Sequence, residues 1–276
     1  MKLSIFVSVF VILITTLASA EENVIVMGYN TKNKIPLIGD ENDNSGLYKE
    51  LFETAAKKIG YRLKIVRLPK KRVHKGFKEG TLDFYPGASF SEKRSKYLYF
   101  QANGLEKKEV LISARGKDGI TDLSKLNGLL LVELGSSKAE WDKKYPKLKI
   151  LLTDALSIKK VVSLIGKGRG DYYASEMFEI DYYKKLNNIK DLRDEGIMVH
   201  YDAFGKNSKP MNFAFSMKSK LFRGIPNPDF DSSKELTTDN FPTEISKDCV
   251  AYKFYVALKE LKESGETQKI YDRYFK

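Results

Sequence analysis

Cysteine is nearly absent from this 276-residue sequence, and Cys249, standing alone, excludes an internal disulfide. It sits where an apolar-periodic helix begins, the place of a small buried apolar residue rather than of a reactive thiol. Histidine is almost as scarce. His74 and His200 are the only two, and neither stands in a cluster with metal-ligand spacing, so no metal site is expected. No Ser/His/Asp or Cys/His arrangement can be read, which argues against nucleophilic catalysis. The glycine-rich run Gly166-Lys-Gly-Arg-Gly170 lacks the Gly-Lys-Ser/Thr ending of a phosphate loop and precedes a strand rather than a helix. No cofactor is implied, no internal repeat or low-complexity tract is present, and no apolar run reaches the ~20 residues of a membrane-spanning helix.

What is present begins with an address. Met1-Lys2, an uncharged apolar run over residues 3–17, and Ala18-Ser19-Ala20 ahead of Glu21-Glu22 compose a secretory signal peptide over residues 1–20. No cysteine follows the cleavage site, so no lipid anchor is indicated, and the mature chain is expected to be exported and soluble. The formal net charge is +12, from 48 Lys and Arg against 36 Asp and Glu, which favours acidic ligands or surfaces. Nucleic acid is not among the expected partners: the basic residues are dispersed among acidic ones, no nucleic-acid-binding motif occurs, and export removes the usual target. The mature length suffices for one full core or two smaller ones without covalent staples.

Along the chain, Val24-Ile-Val-Met27 reads as a strand, residues 30–45 as a polar loop, and Leu47, Leu51, Ala55 and Ile59 as one face of a helix that stops at Gly60. Ser45 is placed to cap that helix. A half-buried strand over 61–68 follows, and strand, helix, strand in this order make a βαβ unit with parallel pairing, hence an α/β fold. Later segments repeat the alternation: strands at 129–134, 148–152 and 196–201, with an amphipathic helix marked by Ile158, Val161, Val162 and Ile165. Tyr182 and Tyr183 sit on a further helix as packing residues. The segment 224–248, rich in Pro, Asp, Ser and Thr, is either a surface loop or a cleft-covering feature.

Residues 69–115 organise the rest. A short basic helix ends at Gly80, an apolar strand follows at 82–85, and Pro86-Gly87 opens a loop, Ala88-Ser89-Phe90-Ser91, that closes on Arg94. Gly87 permits close backbone approach, Ser89 and Ser91 offer hydroxyls, and the Arg94 guanidinium can grip a carboxylate bidentately. The same residues also suit a solvated turn with a surface arginine. Lys70, Lys71 and Arg72 are either an exposed helix start or a cleft edge that favours an acidic ligand. Gly135-Ser136-Ser137, after a buried strand, opens a helix whose N-terminus favours anions, unless Ser136 serves only as that helix's own cap.

Taken together, Gly80-x-x-Asp83, Gly87-x-Ser89-x-Ser91-x-x-Arg94, the aromatic strand 97–100 and the closing pattern Gly265 … Ile270-x-x-x-Tyr274-Phe275 resemble the periplasmic solute-binding proteins of family 3, the polar amino-acid type. The resemblance covers nearly all of the mature chain. It implies a two-lobe, type II binding-protein fold hinged by two crossing strands, with lobe 1 over 21–114 and 213–276, lobe 2 inserted over 115–212, and a crossing near 115–119. It implies Arg94 as anchor of a ligand carboxylate, Ser89, Ser91 and the Gly87 backbone beside it, Ser136 and Ser137 meeting the ligand from lobe 2, and Arg72 at the cleft edge. Glu176, in Gly170-Asp-Tyr-Tyr-Ala-Ser-Glu176, falls where the family places an acid for the ligand's amino group. The chain departs from the family at Tyr48, which stands at an acidic place, and at Lys70, which replaces an aromatic. The implied function is a monomeric periplasmic protein, not an enzyme, that delivers an amino acid or related small carboxylate to an ABC permease in the inner membrane. The alternatives are a dehydratase-like enzyme on the same scaffold, with Glu176 as proton donor, and a sensor or scavenger without a transporter.

Overall fold

The computed structural model describes residues 23–276 apart from 118, 135 and 155. The expected signal peptide lies outside the described residues. In chain order the elements are β1 (Val24–Asn30), α1 (Leu47–Lys58), β2 (Arg62–Leu68), α2 (Lys70–Glu79), β3 (Phe84–Tyr85), α3 (Glu92–Ser95), β4 (Leu98–Lys107), β5 (Glu109–Ala114), β6 (Gly128–Glu133), α4 (Trp141–Lys144), β7 (Leu148–Thr153), α5 (Ile158–Gly166), β8 (Tyr172–Glu176), α6 (Met177–Asn187), β9 (Ile197–His200), β10 (Lys209–Ser216), β11 (Gly224–Pro226), β12 (Thr243–Ile245), α7 (Val250–Glu263) and α8 (Glu266–Phe275). Two five-stranded sheets, in the orders β2-β1-β3-β10-β4 and β7-β6-β8-β5-β9, form the two lobes of a mixed α/β fold. Among the described residues no helix is long and apolar enough to cross a membrane.

The β1-α1-β2 unit forms as its periodicity predicts, with β1 and β2 parallel and in register from Val24↔Arg62 to Asn30↔Leu68. Leu47, Leu51, Phe52 and Ala55 of α1 are buried against the first sheet, where Phe52, Phe84 and Phe254 meet at centroid distances of 5.0 to 6.1 Å. The cap differs from expectation. Gly46, not Ser45, occupies the N-cap position, and the first helical N–H groups of Leu47 and Tyr48 donate to the carbonyls of Pro36 and Leu37 at 3.0 and 2.8 Å. A folded loop therefore satisfies the orphan donors that a serine would otherwise serve. Gly46 has φ +130°, and a Cβ there would lie 2.6 Å from Pro36 O.

Asp83, just before β3, ties β1 to the turn that follows β10. Its buried carboxylate accepts the Val26 N–H at 2.7 Å and the Ser219 hydroxyl at 2.5 Å, and burial is the main influence raising its pKa.

The boundary between lobes is displaced from the expected place. β5, assigned from sequence to lobe 1, pairs antiparallel with β8 and β9 in the second sheet, so the chain crosses at Lys107 to Glu109 rather than at 115–119. It returns along β10, which starts at Lys209, directly opposite Lys107. A further contact joins the lobes: Phe178 of α6 is buried in the first lobe's core, 6.1 Å from Phe275 of α8, and Lys185 Nζ donates to Arg273 O at 2.5 Å. The 224–248 segment is a surface feature. β11 and β12 pair from Gly224↔Ile245 to Pro226↔Thr243, the Asn240 side chain bonds to Asp231 and Glu235 across the intervening loop, and Phe241 packs on Tyr99 at 5.8 Å.

Replacing Asp83 by alanine leaves the Val26 N–H and the Ser219 hydroxyl buried without their acceptor, at a cost of about 1–3 kcal/mol. Thermal unfolding of the Asp83→Ala variant is expected several degrees below the wild-type midpoint, and an unchanged midpoint would contradict this role.

Candidate functional site

The cleft is built where the two crossings meet. The loop from Pro86 to Phe90 follows β3, and β4 and β10 hold it. The buried Asn103 amide donates to Pro86 O at 3.0 Å and accepts the Leu105 N–H at 3.0 Å, while the Ala88 N–H donates to Asn212 O at 2.7 Å. Facing this loop from the second lobe is Glu176, the last residue of β8 and the N-cap of α6. Gly87, Ser89, Tyr48, Lys107, Lys209 and Glu176 wall one chamber of about 400 Å³ beside the crossing strands. An outer chamber of about 530 Å³ shares Lys34 and Glu176 with it and is walled also by Lys70, Glu133, Ser136 and Glu179.

The charges of the inner chamber are unequal. Lys107 and Lys209 are direct cross-strand partners, an arrangement that disfavours itself unless an anion lies between them. Lys34 adds a third ammonium, 5.1 Å above the Phe178 ring. Against them stands Glu176, whose Oε2 is buried with no hydrogen-bond partner among the described residues. Burial, the strongest influence, raises its pKa; Lys107 and Lys34 pull it down, and Glu109 and Glu179 push it up. An unpartnered carboxylate oxygen in a cavity is ready for a cationic donor.

The outer chamber has an acidic second-lobe wall. Glu133 and Glu179 stand near the Tyr173 hydroxyl, whose pKa rises mainly through burial and secondarily through their charges. Glu179 Oε2 accepts the Ser175 hydroxyl at 2.9 Å. Lys70 faces this wall from the first lobe. Lys71 and Arg72 are exposed and line neither chamber, so the acidic preference expected from that basic triplet reduces to Lys70, opposed by three carboxylates.

The other expected residues divide. Arg94 lines neither chamber. It braces the loop, Nη1 donating to Ser89 O at 3.2 Å, and its charge acts on His74, Tyr85 and Tyr97. Ser91 is the N-cap of α3 without a side-chain cap bond, and it lines neither chamber. Ser136 lines the outer chamber but caps only a 3₁₀ turn, Ser137–Glu140, its Oγ accepting the Lys138 N–H at 3.2 Å. The helix expected there is that turn followed by the four residues of α4. Gly135 and the Ser137 side chain lie outside what the structure describes.

Tyr48, at the family's acidic place, is 3% exposed, and burial pushes its hydroxyl pKa well up. It belongs to a tyrosine cluster with Tyr29, stacked on Tyr85 at 5.2 Å under the Arg67 guanidinium. A Cβ on Gly87 would lie 2.2 Å from Tyr48 Oη, so Gly87 gives room to this hydroxyl rather than only to a ligand. Lys34, Lys107, Lys209, Asn103, Glu133 and Glu179 were not singled out by sequence reasoning. Lys34 lay in a polar loop and the crossing lysines in ordinary strands, with no local signal of convergence.

A family model described as bacterial extracellular solute-binding proteins, family 3, matches residues 25–276. A search of curated proteins finds no match. Among similar solved structures, an ancestral cationic amino acid solute-binding protein superposes with a TM-score of 0.62 at 17% identity, covering 92% of this chain and 96% of that one. The L-cystine solute receptor of Neisseria gonorrhoeae, unliganded and open, gives 0.63 at 16% identity over 92% and 94%. An ancestral amino acid-binding protein described as a precursor of cyclohexadienyl dehydratase gives 0.56 at 17% over 92% and 96%. Identities this low carry the fold alone.

Gly87→Ala is expected to destabilise the protein by ~1–3 kcal/mol through its clash with the Tyr48 hydroxyl. Combining it with Tyr48→Phe removes the nearest atom and leaves the ring carbon at 3.0 Å, so part of the loss should return. Additive losses in thermal or denaturant melts of the two single variants and the double variant would contradict the contact.

Proposed function

The chain belongs to the bacterial extracellular solute-binding proteins of family 3, and we propose that it captures an amino acid or related small carboxylate in its interlobe cleft, in the periplasm, and delivers it to an ABC importer in the inner membrane. One observation carries this reading. The Gly87–Ser89 loop, the Lys107–Lys209 pair and Glu176, whose Oε2 has no partner among the described residues, line a single chamber, so groups for an anion and for a cation share one cavity. The ligand carboxylate sits against Ser89 and the lysine pair. Arg94 contributes through its remaining donors from the loop's flank, and Glu176 receives the ammonium. The acidic outer wall favours a ligand with a second cationic group, in keeping with relatives named for cationic amino acids and for bound arginine. The protein acts as a monomer, and closure of the lobes around the ligand is a hinge motion.

A second reading rests on the same carboxyl. A buried Glu176 with a raised pKa can protonate the hydroxyl of a cyclic hydroxy-carboxylate, which leaves as water while the neighbouring carbon loses a proton to solvent and the C–H electron pair becomes the new double bond, the chemistry of a dehydratase. Product formation from such a substrate that Glu176→Gln abolishes would replace the transport reading. A ligand-presenting sensor or scavenger uses the same cleft, and a permease gene beside this one favours transport over it.

A thermal-shift panel of amino acids and dicarboxylates tests the main reading. A ligand at ~100 times its Kd stabilises by ~2.7 kcal/mol, which a melting curve resolves. The expected result is a shift with an amino acid in wild type that Arg94→Ala and Glu176→Gln both reduce; no shift with any amino acid overturns the proposal.

The pH dependence has a definite sign. In the free protein the raised Glu176 pKa contributes stability below the ordinary carboxylate value, and that stability is lost as pH rises through the raised value. A bound ammonium favours the ionised form, so binding expels a proton and affinity weakens as pH falls through the raised value. Glu176→Gln is expected to flatten that slope in calorimetric titrations.

A further inference from the structure

A second cavity, of about 360 Å³, lies across Lys107 and Phe178 from the inner chamber; these two residues wall both. It is assembled from the β4–β5 crossing, the start of α6 in the second lobe, and α7 and α8 in the first. Leu105, Met177, Phe178 and Tyr271 give it an apolar body. Its buried polar atom is out of place: Thr267 is 4% exposed, lines the cavity, and its Oγ1 has no hydrogen-bond partner among the described residues. An unsatisfied hydroxyl in such a position is costly to keep. The strand opposite gives it room. Gly104 has φ +88°, a Cβ there would lie 3.3 Å from Thr267 Oγ1, and the β4–β10 register shifts nearby, between Pro210 and Asn212.

The charges at the rim balance except for one. Glu106 is held by Ser208 and by Lys262 at 3.2 Å, and the hydrogen bond from Ser208 is the leading influence keeping its pKa below the ordinary value. Lys108 pairs with Asp202 at 3.5 Å. Lys107 has no ion pair or hydrogen bond among the described residues. One ammonium with no ion pair of its own, whose charge acts on Glu176 across the shared wall, one buried hydroxyl without a partner and an apolar wall together suit a small monocarboxylate with an apolar body.

We propose that this cavity is a second ligand site, for a small apolar monocarboxylate, distinct from the interlobe cleft and joined to it through Lys107 and Phe178. The site does not depend on what the cleft binds. Its occupation draws the Lys107 ammonium away from Lys209 and braces α6 against α8, so a molecule bound here weakens capture of a carboxylate in the cleft. That coupling alone rests on the amino-acid reading.

The test uses benzoate as probe and benzamide as its uncharged counterpart, with the methyl resonances of Met177 and Thr267 followed by NMR in the mature protein. Benzoate is expected to shift both and to bind more tightly than benzamide. Thr267→Val keeps the shape and removes the hydroxyl; it should weaken benzoate about fivefold or more and leave the unliganded protein as stable as wild type or more so. A hydroxyl with a merely structural role would instead lower the melting point when removed. Gln268→Trp, placed at an exposed residue of the rim, should block benzoate, while Ser89→Trp in the cleft should leave it unchanged. Loss of benzoate binding in Ser89→Trp with retention in Gln268→Trp puts the anion in the cleft and overturns the proposal, as does equal binding of benzoate and benzamide.

Discussion

The antiparallel pairing of β4 with β10 is the constraint on which the rest of the molecule depends. These strands carry the chain out of the first sheet and back into it, so every residue of the second lobe is positioned relative to their ladder. The same ladder fixes the Pro86–Phe90 loop through Asn103 and the Asn212 carbonyl, and it brings Lys107 and Lys209 side by side at the edge of the cleft. A strand pair is stiff along its length and free to twist at its ends, which suits a hinge whose binding loop moves with one lobe only. The α6–α8 contact, with Phe178 buried in the opposite core, adds a restraint that the two crossing strands alone would not supply.

Electrostatics give the cleft its direction. The first-lobe side of the inner chamber is cationic and the second-lobe side carries Glu176 and, farther out, Glu133 and Glu179. Like charges at Lys107 and Lys209 repel in the unliganded protein, and an opposing carboxylate without a partner pays its own desolvation. Each wall is therefore improved by a ligand of opposite sign. Tyr48 fits this division, because it fills the family's acidic place with a buried neutral hydroxyl and leaves the first-lobe wall positive.

Local signals made much of this readable in the sequence. The helical spacing of Leu47, Leu51 and Ala55, the left-handed Gly80 that ends α2, and the Gly87 to Arg94 loop all reported on their own neighbourhood, and the family model matches the span that contains them. What stayed hidden is non-local. β5 has the composition of any buried strand, and its membership of the second sheet is decided by β8 and β9, which lie far along the chain. Lys34 reaches the cleft because Leu37 and Ile38 bury its loop and the Lys34–Ile38 bridge closes it. The Ser136 helix was expected to be longer, but the sequence after it provides only Trp141 and Tyr145 as apolar anchors, and it folds as a 3₁₀ turn and one short helix. Thr267 gave no signal at all, since an isolated threonine in a helix becomes notable only when its hydroxyl proves buried and unpaired.

The central claim is that the two charged walls close upon a ligand bearing both signs. It is tested most directly by the distance between the lobes, measured by electron–electron double resonance between spin labels at Lys93→Cys and Asp142→Cys in a Cys249→Ser background. Addition of a mixture of amino acids should shorten the distance by several Å and narrow its distribution, reversibly on dialysis. A distribution that the whole mixture leaves unchanged would contradict the account.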